Sequence, residues 1–194
     1  SGTDPYSAYS GAICALKGHR HGGANIKVIK MLDNFKENIK HWDNEGEVAD
    51  YMTKVIKKEA YDRSGLIYGM GHAVYTISDP RACILKRKAF ELAKGKEIEA
   101  EFRLLDTVER LTPEVFRNVK GNSKVMCANV DMYSGLVYRM LGIPDDLFTP
   151  LFAVARIAGW SAHRMEEILT GGRIIRPAYK AIAKSKKYIS ISER

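Results

Sequence analysis

The sequence has 194 residues, 45% of them hydrophobic and 28% charged, and a formal net charge of +8 at pH 7. This length suits one large domain or two small ones that share a core, and no apolar run is long enough to span a membrane. The positive charge suits an anionic partner, whether a nucleic acid, a polycarboxylate or a phosphate-bearing cofactor. The first five residues, SGTDP, lack the regions of a signal peptide, and we expect them to begin a cut fragment.

The chain has three cysteines, Cys14, Cys83 and Cys127, which are far apart in sequence and form no CxxC pair. An odd number without such a pair favours reduced thiols over a disulfide framework or a zinc site. We therefore expect a cytoplasmic protein in which the three cysteines are small buried hydrophobic residues.

Hydrophobic periodicity predicts an all-α fold. The first half of the chain predicts, in order, a short helix over residues 6–16, an amphipathic helix from residue 24 to about 42, a turn at 43–46, a helix over 48–61 and a glycine-rich loop over 63–75.

Capping and breaking signals divide the second half of the chain. Asp79 before Pro80 indicates a helix start, and Thr112 before Pro113 indicates that one helix ends and another begins in a new direction. The remaining predicted elements are a helix over about 97–109, a helix that opens over 127–131 and ends at 141, and a helix from residue 147 or 150 to 169. Helix stops are predicted at Gly121, Asn122 and Ser123 and at Gly171 and Gly172, and residues 188–191 are a candidate strand.

The last long helix carries two kinds of residue on opposite sides, because seven residues make almost two helical turns. We expect one side to pack, namely Leu151, Val154, Ala158, Ala162, Met165 and Leu169. The opposite side is expected to face a cleft, and it carries Arg156, Trp160, His163 and Glu167.

Three residues could carry acid–base chemistry. His21 precedes two glycines, which permit close approach of a ligand to the backbone, and a helix N-terminus favours a neutral histidine that donates a hydrogen bond. His72 and Asp131 also stand at glycine or asparagine turns. Singly, each has an ordinary reading as a loop histidine or a first-turn carboxylate. Together they suffice to remove a proton next to one carbonyl and to polarise another.

Four motifs resemble those of the citrate synthase family and occur in that family's order. They are HGGAN at 21–25, GMGH at 69–72 followed by DPR at 79–81, NVDMYSG at 129–135, and ARIAGWSAH at 155–163. From about residue 4 to 179, the chain is similar to the C-terminal part of a bacterial-type member. The resemblance implies a multi-helical fold in three parts: a fringe of the large domain over 1–40, a small CoA-side domain over 41–148, and a long helix and basic tail over 149–194 that return to the large domain.

The resemblance also implies a reaction. Acetyl-CoA condenses with oxaloacetate through an enol and citryl-CoA to give citrate and CoA, as in the tricarboxylic acid cycle. Asp131 would remove the methyl proton, His21 would stabilise the enol at the thioester oxygen, and His72 would hydrogen-bond the keto oxygen of oxaloacetate. CoA enters as substrate and leaves as product, with no tightly bound cofactor and no metal.

Further positions match the family's binding residues. The matches to arginines that bind substrate carboxylates are Arg81, Arg156 and Arg176, of which the last can reach the partner subunit's site in a homodimer. The matches on the CoA side are Leu66, Ile67, Gly69, Met70, Gly71 and Lys124. The implied partners are oxaloacetate, acetyl-CoA and a second subunit, without nucleic acid or membrane.

Three alternatives remain open. A 2-methylcitrate synthase, which uses propionyl-CoA, shares the same catalytic motifs. A non-catalytic CoA-binding or oligomerisation module fits a chain that matches only the C-terminal part of the family, and we expect this polypeptide alone to turn over poorly or not at all. A basic helical nucleic-acid binder rests on the net charge alone, without a groove-reading motif.

Overall fold

The computed structural model describes residues 2–18, 22–121, 126–171, 174, 176, 178, 180 and 182–194. Its α-helices in these ranges are α1 (Pro5–Leu16), α2 (Ala24–Asn38), α3 (Glu45–Ile56), α4 (Pro80–Ala93), α5 (Glu99–Lys120), α6 (Asp131–Met140) and α7 (Phe148–Leu169). Short 3-10 turns occupy Asp145–Leu147 and Ile191–Glu193, and no β-strand occurs in the ranges described. The predicted all-α fold is confirmed.

One hydrophobic core joins helices α2 to α6. Helix α3 packs on α5, α2 packs on α6, and α4 contacts both α5 and α6. Large side chains buried completely in this core include Phe35, Met52, Phe102, Leu105 and Met132. The buried residues of α2, α3 and α5 recur mainly at three- and four-residue spacing, and their removal from water supplies the main favourable term in folding.

Local capping decides where α3 begins. The Asn44 side chain accepts hydrogen bonds from the backbone N–H groups of Gly46 and Glu47, at 3.0 and 3.3 Å. Helix α3 therefore starts inside the predicted turn, with acidic residues in its first turn where the helix dipole favours them. It ends at Ile56, before the predicted end at residue 61. Helix α2 likewise stops at Asn38, short of residue 42.

The predicted break at Thr112 is wrong, because α5 continues through Pro113 to Lys120. The Thr112 hydroxyl donates to the carbonyl oxygen of Val108, one turn back, at 2.6 Å and caps no new helix. Proline removes one backbone hydrogen bond. Burial of apolar side chains on both sides of it, from Phe102 to Val115, holds the helix together. At the far end Gly121 adopts φ +67° and stops the helix.

Helix α7 starts and ends close to the predicted positions, but its predicted packing side is wrong. Val154, Met165 and Leu169 are 67%, 59% and 85% exposed. Helix α1 packs along α7, where the Tyr9 hydroxyl donates to the Ser161 hydroxyl at 2.9 Å, and this packing leaves Val154, Met165 and Leu169 exposed. Gly171 follows the helix with φ +64°, and Gly172 lies outside the described residues, as do Asn122 and Ser123 of the predicted stop after α5.

Two smaller predictions also need correction. Cys127 is buried as expected, whereas Cys14 on α1 and Cys83 on α4 are exposed because they face away from the core. The candidate strand at 188–191 is wrong: residues 188–190 have no regular secondary structure, Ile191 begins a 3-10 turn, and the described part of the chain contains no strand for them to pair with. None of the described helices combines the length and apolar character needed to cross a membrane.

Candidate active site

Backbone pairing joins the glycine-rich loop before His72 to the segment before α6. The Gly71 N–H donates to the carbonyl oxygen of Cys127 at 2.7 Å, and the Asn129 N–H donates to the carbonyl oxygen of Gly69 at 2.9 Å. These bonds flank an isolated antiparallel bridge. Two motifs that are distant in sequence therefore meet at one junction.

Asn129 strengthens this junction with its side chain. Its Nδ2 donates to the carbonyl oxygen of Gly71 at 3.0 Å, and its Oδ1 accepts from the backbone N–H of Asp131, also at 3.0 Å. Asp131 is the first residue of α6, where the helix dipole stabilises an ionised carboxylate. Sequence reasoning included Asn129 in a motif without giving it a task, because its partner lies 58 residues away.

The residues matched to the CoA side differ in their surroundings. Ile67 is buried in the core, and Leu66 beside it is exposed. Gly69 has φ +85°, and a Cβ there would lie 2.7 Å from Sδ and 2.9 Å from Cα of Met132, so this position requires glycine. Gly71 also has a positive φ, of +99°, but has open space around it. Lys124 lies outside the described residues.

Backbone hydrogen bonds orient the His72 ring. Its Nδ1 accepts from the N–H groups of Val74 and Tyr75, at 2.9 and 3.0 Å. An accepting Nδ1 carries no hydrogen, so the neutral ring carries its hydrogen on Nε2. Nε2 lies 3.6 Å from Oδ2 of Asp79 and 3.4 Å from Nη2 of Arg81, so these two charged groups flank the nitrogen that carries the hydrogen.

The Asp79 carboxylate is buried and holds Arg81 at three points. Its oxygens accept from Nε of Arg81 at 3.1 Å, from Nη2 at 2.8 Å and from the backbone N–H at 2.9 Å. Hydrogen bonding from the Arg81 side chain is the main cause that lowers the pKa of Asp79, and the same bond raises the pKa of Arg81. Asp79 was predicted only as a helix cap, and the arginine two residues later was the sequence signal for the further role.

Arg81 and Arg156 line one cavity of about 320 Å³ between α4, α6 and α7. Its other lining residues are Leu85, Val130, Ser134, Val137, Tyr138, Leu151, Phe152 and Ala155. Arg156 also lies over the Phe152 ring, 4.8 Å from its centroid. Burial raises the pKa of Tyr138, and the nearby charge of Asp131 raises it further. Arg176 is exposed beyond the end of α7 and does not line this cavity.

A polar cluster anchors the start of α6 to α4 and α5. The hydroxyl of the fully buried Tyr133 donates to Glu109, whose Oε2 also accepts from Nζ of Lys86 at 2.8 Å. Lys86 is paired with Asp106 as well. Burial and the neighbouring Glu109 charge strongly raise the pKa of Tyr133. This cluster borders a larger cavity, of about 560 Å³, and was not predicted from the sequence.

His21 lies outside the described residues, but the glycine turn that follows it is tightly packed. The Gly22 N–H donates to the carbonyl oxygen of Leu16 at 3.0 Å, and the Gly22 carbonyl accepts from the Thr149 hydroxyl at 2.6 Å. A Cβ on Gly22 would lie 2.6 Å from Cγ2 of Thr149. The first glycine of the HGGAN motif is therefore held against the start of α7.

Residues 1–178 match the family model described as Citrate synthase, C-terminal domain. The chain belongs to the citrate synthase family. Over 193 residues it is 39% identical to the citrate synthase of Synechocystis, covering 99% of this chain and 44% of that protein. Over 194 residues it is 34% identical to the 2-methylcitrate synthase of Shewanella oneidensis, covering 99% of this chain and 46% of that protein.

A solved structure is similar to this chain in both fold and sequence. The citrate synthase of Thermoplasma acidophilum, a ternary complex with carboxymethyl coenzyme A and oxaloacetate, superposes with a TM-score of 0.71 at 31% identity. The match covers 98% of this chain and 47% of that one. The chain spans about half the length of the curated relatives it matches.

Proposed function

We propose that this chain carries the C-terminal part of a citrate synthase, which condenses acetyl-CoA with oxaloacetate to give citrate and CoA. Family membership supports the reaction type. The observation that carries the proposal is the junction of the two motif loops, which joins the segment before His72 to the start of α6 at Asp131. The cavity lined by Arg81 and Arg156 runs along α6 from Val130, next to Asp131, to Tyr138.

Asp131 is the proposed base, and its carboxylate takes a proton from the methyl group of acetyl-CoA. The negative charge that develops on the thioester oxygen needs a donor, and His21 is proposed for that position. Removing a donor of this kind raises a barrier by about 2.7–4 kcal/mol in enzymes that stabilise an oxyanion. The proposal for His21 rests on the family resemblance and on its glycine turn.

His72 is proposed to assist the step that forms the carbon–carbon bond. The enol carbon attacks the keto carbon of oxaloacetate, and the keto oxygen becomes a hydroxyl. The accepting role of the His72 Nδ1 favours this assignment, because it leaves Nε2–H as the donor toward that oxygen. Water then cleaves the thioester of citryl-CoA and releases citrate and CoA.

Arginines are proposed to bind oxaloacetate, and mainly uncharged residues to contact CoA. Arg81 and Arg156 hold carboxylates of oxaloacetate, and Arg176 does so from the partner subunit of a homodimer. The proposed CoA contacts are Leu66, Ile67, Gly69, Met70, Gly71 and Lys124. Ile67 contributes through its backbone, because its side chain belongs to the core. The domain division at residues 40 and 148 and a cytoplasmic location belong to the same proposal.

The proposal is tested by measuring release of free CoA thiol with the full-length natural protein that contains this sequence, rather than with this chain alone. We expect thiol release from acetyl-CoA that depends on oxaloacetate and is accompanied by citrate. No release, or release that proceeds equally without oxaloacetate, would refute it. Calorimetry with CoA distinguishes the alternative of a non-catalytic module, which binds CoA without turnover.

The second candidate function is that of a 2-methylcitrate synthase, and the Shewanella oneidensis relative supports it. The two functions share every residue assigned above and differ in the acyl chain. Comparing kcat/KM for acetyl-CoA and propionyl-CoA decides between them. A clear preference for propionyl-CoA would replace the first candidate with the second.

A further inference from the structure

One face of α6 continues from Asp131 into the cavity that Arg81 and Arg156 line. Residues three and seven positions after Asp131 lie on the same face of a helix, and these are Ser134 and Tyr138. Both of them line the cavity of about 320 Å³. Any ligand held between the two arginines would lie against this face.

The Ser134 hydroxyl has an unusual environment. Ser134 is 4% exposed, and its Oγ forms no hydrogen bond with any residue in the described ranges. A buried serine or threonine in a helix commonly bonds the carbonyl one turn back, as Thr112 does to Val108. A buried hydroxyl without a partner destabilises a protein by about 1–3 kcal/mol. Such groups are rare in native proteins and call for an explanation.

The cavity supplies the explanation through its charge. Two guanidinium groups line it, so its natural occupant is an anion. The Asp79 carboxylate binds Nε and Nη2 of Arg81, and Nη1 is not engaged by it. Ser134 lines the same cavity as the two arginines, and its hydroxyl is the kind of donor that a carboxylate oxygen of an anion in this cavity would accept from. The cavity lies at the small end of the range for ligand sites, which suits a small dicarboxylate.

We propose that Ser134 is a further substrate-binding residue, whose hydroxyl donates a hydrogen bond to a carboxylate of the dicarboxylate held by Arg81 and Arg156. This inference rests on the proposed function, in which that dicarboxylate is oxaloacetate. The free protein then carries an unsatisfied hydroxyl, and the ligand satisfies it. The Ser134 hydroxyl thus lowers the stability of the unliganded protein and raises its affinity for the dicarboxylate.

The proposal can be tested because a binding role and a structural role predict opposite changes in the Tm of the unliganded protein when the hydroxyl is removed. The variant Ser134→Ala is compared with wild type by calorimetric titration with oxaloacetate and by thermal unfolding without ligand. We expect the Kd for oxaloacetate to rise about tenfold or more, since hydrogen bonds to charged groups are the stronger class. The Tm of the unliganded variant should equal or exceed that of wild type.

Thr112→Val is the matched control, because it removes a buried hydroxyl that already has a partner and lies on α5. It should lower the Tm and leave the Kd unchanged. Ser134→Cys, which keeps the side-chain shape with a slightly larger atom and a weaker donor, should give an intermediate Kd and serves if the alanine variant does not fold.

Each outcome decides a different claim. If wild type fails to bind oxaloacetate, the proposed function itself is refuted, and this inference with it. If wild type binds and the Ser134 variants bind equally well, the inference is overturned while the proposed function stands. A Tm of Ser134→Ala clearly below that of wild type would also overturn it, because the hydroxyl would then have a partner in the free protein.

Discussion

Asp79 and Arg81 form an ion pair in which the acid is fully buried and the base reaches solvent. The side chain of Asp79 is 0% exposed, whereas that of Arg81 is 58% exposed. Two side-chain bonds, of 3.1 and 2.8 Å, fix the guanidinium plane. The same carboxylate lies 3.6 Å from Nε2 of His72. One buried acid thus orients a cavity arginine beside the proposed histidine donor.

Replacing Asp79 measures how much its carboxylate contributes to the stability of the fold. Asp79→Asn removes an ionised acceptor of three hydrogen bonds, and Arg81 is exposed enough to be solvated after its release. We expect the free energy of unfolding in urea to fall by about 1–3 kcal/mol. Asp146→Asn, at an exposed acid in the turn before α7, is the matched control. Equal effects of the two variants would contradict the account.

The same pair predicts a pH dependence with a defined sign. Hydrogen bonding from Arg81 lowers the pKa of Asp79 in the folded state, so the unfolded chain binds the proton more tightly. The stabilisation is present above the unfolded pKa of about 4 and is lost as pH falls through the lower folded value. The stability gap between wild type and Asp79→Asn should therefore narrow below about pH 4. Urea unfolding at a series of pH values measures this gap, and a gap that widens in acid would refute the assignment.

Two glycines of the motif before His72 should respond differently to alanine. At Gly69 a Cβ meets Met132 at 2.7 and 2.9 Å, whereas at Gly71 nothing lies within 4 Å. Both have positive φ, which by itself costs about 1–3 kcal/mol. We expect Gly69→Ala to be more destabilising than Gly71→Ala by about 1–3 kcal/mol, the range for overpacking. Thermal or urea unfolding of both variants measures the difference, and equal losses would argue against tight packing at Gly69.

The buried Tyr133 hydroxyl should contribute more than a partly exposed one. Tyr133→Phe removes its hydrogen bond to Glu109, while Lys86 still pairs with that carboxylate. We expect a loss of about 1.5–3 kcal/mol, the range for a hydrogen bond to a charged group. Tyr51→Phe, which removes a neutral bond of 2.6 Å to Asn34, should cost about 0.5–1.5 kcal/mol. A larger loss for Tyr51→Phe in urea unfolding would contradict this ranking.

Features set by neighbouring residues could be predicted from the sequence. The start of α4 follows from Asp79 and Pro80, whose capping chemistry acts within one turn. The continuation of α5 through Pro113 could not be predicted, because burial against other helices outweighs a local breaking signal. The exposed side of α7 was mispredicted for a related reason: periodicity identifies an apolar side but does not say what covers it.

The candidate site likewise contains features that the sequence predicts and features that it does not. Its acids, bases and arginines were identifiable by residue type and motif, whereas the links among them were not. The bond between Asn129 and Gly71 joins residues 58 positions apart. The unsatisfied hydroxyl of Ser134 becomes visible only when every neighbour is known. Sequence patterns identify reactive groups, and tertiary contacts decide which of them share a cavity.

The most direct test of the central claim is oxaloacetate-dependent thiol release by Asp131→Asn in the natural polypeptide, with oxaloacetate affinity measured in parallel. A general base contributes about a hundredfold to ten-thousandfold to rate, so kcat should fall by at least about a hundredfold. Oxaloacetate affinity should change little, because the proposed carboxylate binders are Arg81 and Arg156. Retention of wild-type kcat by Asp131→Asn would contradict the account.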